Sequence, residues 1–207
     1  MLHRLRETPG VAIAGLLTTV NQTHDRVAMH AVRRPLLERQ AAAAGLPLST
    51  VPLPWPCPNG LYEERFGEAV AAAQIEGITH IAFGDLFLED IRDYRIGLLE
   101  GTGIEPLFPI WCGRGGTAAL AREMVDAGLR ATITCLDPAR MPRGLVGRTF
   151  DHDLLDALPP EVDPCAENGE FHTFATAGPM LDGRVAVSVG EVVQREGFVF
   201  ADVVESE

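Results

Sequence analysis

The chain has 207 residues, 46% hydrophobic and 22% charged, without a long polar tract, which fits one folded domain or two small ones and excludes a disordered chain. Its 29 acidic residues outweigh 17 basic ones, and the net charge of -12 argues against nucleic acid as a partner. All 17 basic residues are arginine, so lysine-based phosphate or Schiff-base chemistry is excluded, and a bound anion must be held by guanidinium groups, backbone amides or helix N-termini. No apolar run reaches membrane-spanning length, and Met1 to Arg6 lacks the apolar core of a signal peptide. The expectation is a cytoplasmic protein with no membrane partner. Cys57, Cys112, Cys135 and Cys165 form no Cys-x-x-Cys pair, so they read as reduced structural thiols and no metal site is expected.

Residues 2 to 7 read as the tail of a helix stopped by Pro9-Gly10. Val11 to Val20 is a continuous apolar run, as in a parallel strand buried on both faces, with Thr18, Thr19 and Asn21 at its ligand-facing end. A helix over Val27 to Ala44, closed by Gly45, and a strand over Leu48 to Leu53 complete a βαβ rhythm. After a rigid connector at Trp55 to Gly60, a helix is predicted over Tyr62 to Glu76. The strand that follows, His80 to Asp85, ends in Gly84, where backbone or ligand can approach closely, and a carboxylate. Glu89, Arg92 and Arg95 lie on the next helix, either as a solvated ion-pair face or as functional groups, with Arg92 in reach of Glu89. Pro106 to Trp111 gives a further strand.

The loop Cys112-Gly113-Arg114-Gly115-Gly116-Thr117 precedes a helix over Ala118 to Ala127. It either cradles an anion with its amides and Arg114, or serves as a flexible lead to an ordinary cap at Thr117; its spacing fits neither common phosphate-loop pattern. Leu129 to Leu136 reads as a strand, 147 to 158 as mixed turn and helix, and Val185 to Glu196 with Phe198 to Val204 as a closing antiparallel hairpin. Between them stands the densest polar stretch, Asp163-Pro-Cys-Ala-Glu-Asn-Gly-Glu-Phe-His-Thr173. Asn168-Gly169 favours a turn with positive φ, and the alternation after it places Glu170 and His172 on one strand face. With Glu167 they offer two carboxylates and an imidazole able to move protons or hold a cation or amine; a solvated hairpin face is the plain alternative.

This block, with Gly178-Pro179 after it, closely resembles the signature of the diphthine-ammonia ligase family, whose members carry a diphthamide synthase domain of the N-type ATP pyrophosphatase, or PP-loop, superfamily. Gly15-Leu16-Leu17-Thr18-Thr19, Met29-His30, Gly84-Asp85, Pro109-Ile110-Trp111 and Gly147-Arg148 agree with it, and Ala166 stands where the family usually has glycine. The resemblance implies an α/β fold: a Rossmann-like (HUP-type) parallel sheet with helices on both faces over 1–112, and a smaller α+β subdomain over 113–207. It also implies an ATP-dependent amide ligase that adenylates a diphthine-like carboxylate and transfers ammonia to it, giving amide, AMP and pyrophosphate, with ATP and Mg2+ as cofactors. Thr18, Thr19, Asn21, Met29, His30, Gly84, Asp85, Arg92, Trp111 and Arg114 are then expected on the nucleotide side. Glu167, Asn168, Glu170 and His172 are expected to face the acceptor or ammonia, Glu170 or His172 serving as the base that deprotonates ammonium.

Family members open with a strand and a Ser-Gly-Gly-Lys-Asp-Ser phosphate loop, and this sequence starts inside the helix that follows. The expectation is a chain short of its first strand and main phosphate grip, with an open sheet edge that invites pairing between copies. Two readings stand: an amide ligase completed by residues upstream, or a non-catalytic adenine-nucleotide or metabolite binder.

Overall fold

The computed structural model describes residues 1–206 and is a mixed α/β protein with three small sheets. Helix α1 (Leu2–Glu7) leads into β1 (Leu16–Asn21), β2 (Arg26–Val27), α2 (Arg34–Ala43) and β3 (Leu48–Leu53). Strand β1 pairs parallel with β3, Thr18 opposite Thr50, and antiparallel with β2 at Val20 and Asn21. The strand expected from Val11 begins only at Leu16: its amide donates to the carbonyl of Pro47 at 2.9 Å, and a proline has no N–H to extend the ladder further back.

The helix expected from Val27 is shorter and starts later. Met29 (φ 60°) and Ala31 (φ 54°) adopt left-handed backbone conformations that no α-helix contains, and Pro35 in the first turn of α2 suits a helix start. Met29-His30 therefore lies in a turn and not on a helix.

Helix α3 (Asn59–Ile75), β4 (His80–Ala82), α4 (Glu89–Leu99) and β5 (Glu105–Leu107) form a second unit, in which β4 and β5 pair in parallel. Phe66, Val70, Leu99 and Ile104 form its core. Both strands are half the length of the expected runs, because the chain leaves the ladder at Phe83 and at Phe108, whose rings stack 5.8 Å apart. The single parallel sheet expected over 1–112 is thus present as two small ones, and no ladder joins β1 to β4 among the described residues.

The third unit holds α5 (Thr117–Asp126), β6 (Arg130–Leu136), α6 (His152–Ala157), β7 (Phe171–Ala177), β8 (Val187–Arg195) and β9 (Phe198–Glu205). Its antiparallel sheet runs β7-β6-β9-β8, with the predicted hairpin at one edge. Six successive residues of β6, Ala131 to Leu136, are buried, and Ile133, Leu136 and Leu154 have no exposed surface. Apolar side chains on both faces make β6 the axis around which α5, α6 and the polar block assemble. Another cluster crosses between units: Val32 and Leu36 from the α2 region pack on Phe174, Val185 and Val203. Asp202 of β9 reinforces that contact, accepting from Arg26 Nη1 at 2.9 Å and pairing with Arg33, and the two guanidinium groups hold its carboxyl down at about 2. No described helix is long and apolar enough to cross a membrane.

Candidate functional site

The polar block is a loop folded on its own side chains. Asp163, buried, accepts the Glu167 amide on Oδ2 at 2.8 Å. Glu170, only 1% exposed, accepts three N–H donors: the Asp163 amide (3.2 Å), the Asn168 amide (3.1 Å) and Asn168 Nδ2 (2.9 Å). Gly169 takes the positive φ expected of the Asn-Gly turn, at 78°, and Ala166 takes one as well, at 59°. Such a conformation strains any residue with a Cβ, which gives a glycine at this position a physical reason.

Glu170 and His172 do not share a face. The Glu170 carboxylate folds back to close the turn, and the strand begins only at Phe171. Glu170 and Asn168 line one cavity, of about 340 Å³, together with Arg114, Arg140, Glu161 and Val162. On the other side the His172 ring meets that of His30, centroids 4.7 Å apart. His30 with Thr18, Leu37, Gln40, Thr173 and Phe174 lines a second cavity of about 280 Å³. The Thr173 carbonyl lies 3.1 Å from His30 Nδ1 and can only accept, so this nitrogen carries the proton and Nε2 of the neutral ring is left as the acceptor. Burial and then the neighbouring His30 push His172 down to about 4, and burial lowers His30 too, so both rings are neutral near pH 7. A ring with so low a pKa is a poor base toward ammonium, and a buried Glu170 already accepting three N–H groups is better suited to hold the loop.

Glu167 ties the block to the turn that follows β4. Its Oε1 accepts the Leu86 amide at 2.7 Å and the Phe87 amide at 3.4 Å; burial raises its carboxyl, and those amides partly offset the rise. Thr18 and His30 meet at the second cavity, but the other residues expected on the nucleotide side are scattered. Thr19, adjacent to Thr18 on β1, points to the opposite face. Asn21 Oδ1 accepts from the amides of Thr23 and His24, a turn-forming role. Met29 is exposed.

Gly84 is open to solvent, and Asp85 beside it faces Arg95 at 3.9 Å, with Asp85 Oδ2 and Arg95 Nε both buried and without a hydrogen bond. Arg92 turns away from Glu89 to lie over the Trp111 ring at 4.5 Å, and Arg114 lies over Phe87 at 4.4 Å. The glycine-rich loop spends half of its amides on its own fold. Cys112 and Gly113 donate their amides to Leu86, Gly116 donates to Gly113, and Thr117 is a buried helix residue whose hydroxyl bonds the Arg114 carbonyl instead of capping. Neither Cys135 nor Cys165 is a nucleophile, since burial pushes both thiols up to about 12.

Three polar lining residues had no place among the site residues read from the sequence. Gln40 left a signal, a polar residue on the same helix as buried Leu36, Leu37 and Ala41, and its Nε2 donates to the Ala175 carbonyl at 2.7 Å. Arg140 and Glu161 left none, because only the folded loops bring them to Asn168 and Glu170.

Fold and site together define a mixed α/β protein whose polar block divides two cavities and is latched to a strand-end turn of the parallel unit. Residues 116–204 match the family model described as Diphthamide synthase C-terminal domain. The match spans α5 to β9, contains the whole block, and supports the diphthine-ammonia ligase family and, at the level of that family, a ligase-like role. No curated protein matches the chain.

Proposed function

We propose that the chain provides the acceptor and nucleoside sides of an ATP-dependent amide ligase, in which a diphthine-like carboxylate becomes its amide at the expense of ATP, with ammonia as the nitrogen source. The observation that carries this reading is the double engagement of the polar block, through Glu167 with the turn after Gly84-Asp85 and through His172 with His30. The parallel pairs β1–β3 and β4–β5, each with helices around it, read as the flanks of a Rossmann-like nucleotide layer.

For the nucleoside end, the Thr18 hydroxyl, the Gln40 amide and His30 Nε2 offer donors and acceptors around an apolar floor of Leu37 and Phe174. For the triphosphate and Mg2+, the described residues contain no lysine, no cluster able to hold a metal and a glycine loop in which the amides of Cys112, Gly113 and Gly116 are already bonded. On this reading these residues serve recognition of nucleoside and acceptor, and the adenylyl transfer itself is assigned to none of them. Buried Glu170 and neutral His172 favour a second reading, a binding protein for adenine nucleotides or a related metabolite.

Titration of the 207-residue chain with AMP and with Mg-ATP, followed on the ring signals of His30 and His172, tests the proposal. Both nucleotides are expected to shift those signals with similar affinity, and His30→Ala to weaken them about tenfold. Mg-ATP binding well above AMP would assign phosphate contacts to the chain's own arginines, Arg114 first. If neither nucleotide moves the two rings, the nucleoside assignment is wrong. Ammonium-dependent release of pyrophosphate then separates ligase from binder.

A further inference from the structure

We propose that the edge strand β8 pairs antiparallel with β8 of a second copy of this chain, centred on Val193, to form a weak symmetric dimer. Seven of the nine residues of β8 are exposed, and β9 is its one sheet neighbour among the described residues. Folded proteins ordinarily blunt such an edge with proline, lysine, a bulge or a covering loop. The bulge between Val189 and Val192, where two residues oppose Asp202, does this for the first half of β8. The second half, Val192 to Arg195, has no bulge, no proline and, among the described residues, no backbone hydrogen bond to a covering loop.

The hairpin decides which groups face outward. Glu196 (φ 50°) and Gly197 (φ 88°) form a two-residue turn, closed by Arg195 opposite Phe198. The closing pair of such a turn exchanges both its hydrogen bonds, and bonded pairs alternate along the ladder, so Arg195 and Val193 aim N–H and C=O at β9. Val192 and Gln194 therefore aim theirs at the open edge. Arg143 meets Gln194 at its side chain, not at these backbone groups. The stretch Glu191-Val-Val-Gln-Arg195 also complements itself when reversed. With Val193 on the two-fold axis, Val192 and Gln194 of one copy exchange hydrogen bonds with Gln194 and Val192 of the other, and Glu191 comes opposite Arg195 on both sides of the axis. Moving the centre to Val192 sets Arg195 against Val189, and moving it to Gln194 sets Glu191 against Gly197, so charge selects one register. A contact of about four hydrogen bonds and two exposed ion pairs is smaller than a standard interface, which places the dissociation constant at about 10 to 100 µM. Because β7 forms the opposite edge of the sheet, both polar blocks stay open in the dimer, and the proposal does not depend on the ligase reading.

Sedimentation equilibrium of the full chain, from about 5 to about 500 µM, tests it. Glu191→Arg and Arg195→Glu, both at exposed positions, each set like charges face to face on both sides of the axis and are expected to weaken the dimer about tenfold. The double variant restores the pairs in reverse and is expected to return to within about threefold of the parent. Hydrogen exchange reads the register: the Val192 and Gln194 amides slow as concentration rises, whereas the Val193 amide, bonded to β9 within each copy, stays constant and reports that every variant keeps its fold. A chain that stays monomeric over the whole range overturns the proposal. So does a dimer indifferent to the single substitutions or not restored by the double one, or concentration-dependent protection that spares Val192 and Gln194.

Discussion

Ala166 carries a side chain where the backbone asks for none, at φ 59° in a turn closed by Asp163 and Gly169. Ala166→Gly is expected to raise stability by about 0.5 to 1 kcal/mol, the released strain exceeding the extra freedom of glycine in the unfolded chain, as read from a denaturant midpoint at constant slope. Glu167→Ala should act the other way. It strands the Leu86 amide next to buried Leu86 and Phe87, at a cost of about 1 to 3 kcal/mol, and should speed amide exchange at both positions. His172 makes the fold sensitive to acid. Its pKa falls from 6.5 to about 4 on folding, so the unfolded chain takes up the proton first; stability is complete above pH 6.5 and declines by up to about 3 kcal/mol as pH falls toward 4. His172→Gln should lessen the slope of that stretch of a plot of melting temperature against pH, buried His30 supplying the remainder, while the fall below it, where Asp202 begins to lose its negative charge between Arg26 and Arg33, persists.

At the scale of elements, what the sequence made legible was what local chemistry decides. Helices α3, α4 and α5 and strands β3, β6, β8 and β9 lie close to where periodicity and turn residues place them. The misplacements came from constraints that act through pairing. Val11 to Gly15 is as apolar as a strand, yet Pro47 ends the ladder at Leu16; Val27 to Arg33 lacks a helix breaker, yet turns twice through positive φ so that the Val27 amide can bond the Val32 carbonyl at 2.8 Å. Within the site, the alternation Glu170-Phe171-His172 was read as one wet face because nothing local announces that a carboxylate will bend back onto three amides of its own loop. Gly147, between the strand β6 and the helix α6, shows how tightly these elements are set. It sits at φ 80°, and an added Cβ would come within 3.0 Å of Val189 on β8, so Gly147→Ala is expected to destabilise by about 1 to 3 kcal/mol and to be only partly relieved by Val189→Ala, since the backbone strain stays.

For the whole molecule, the decisive contact is the cluster of Val32, Leu36, Phe174, Val185 and Val203, which fuses the α2 region to the antiparallel sheet. Phe174→Ala is expected to cost about 3 to 5 kcal/mol. Hydrogen exchange should then quicken in α2 and in β7 together, because one cavity undercuts both; protection lost from the sheet alone would show that the units fold independently.

The strand β7 also sets a limit on change in the polar block. Glu170 lines one cavity and His172 meets His30 at the wall of the other, with only buried Phe171 between them, and Phe171 is fixed opposite Leu136. Spelling and spacing are therefore separate constraints on these residues. Many single substitutions leave the partition intact, whereas deleting one residue between Asp163 and Phe171 either shortens a turn that has no slack or drags His172 into the place of Phe171, putting an imidazole in the apolar core and Thr173 against His30. Along a lineage, the length of this loop should drift less than its letters.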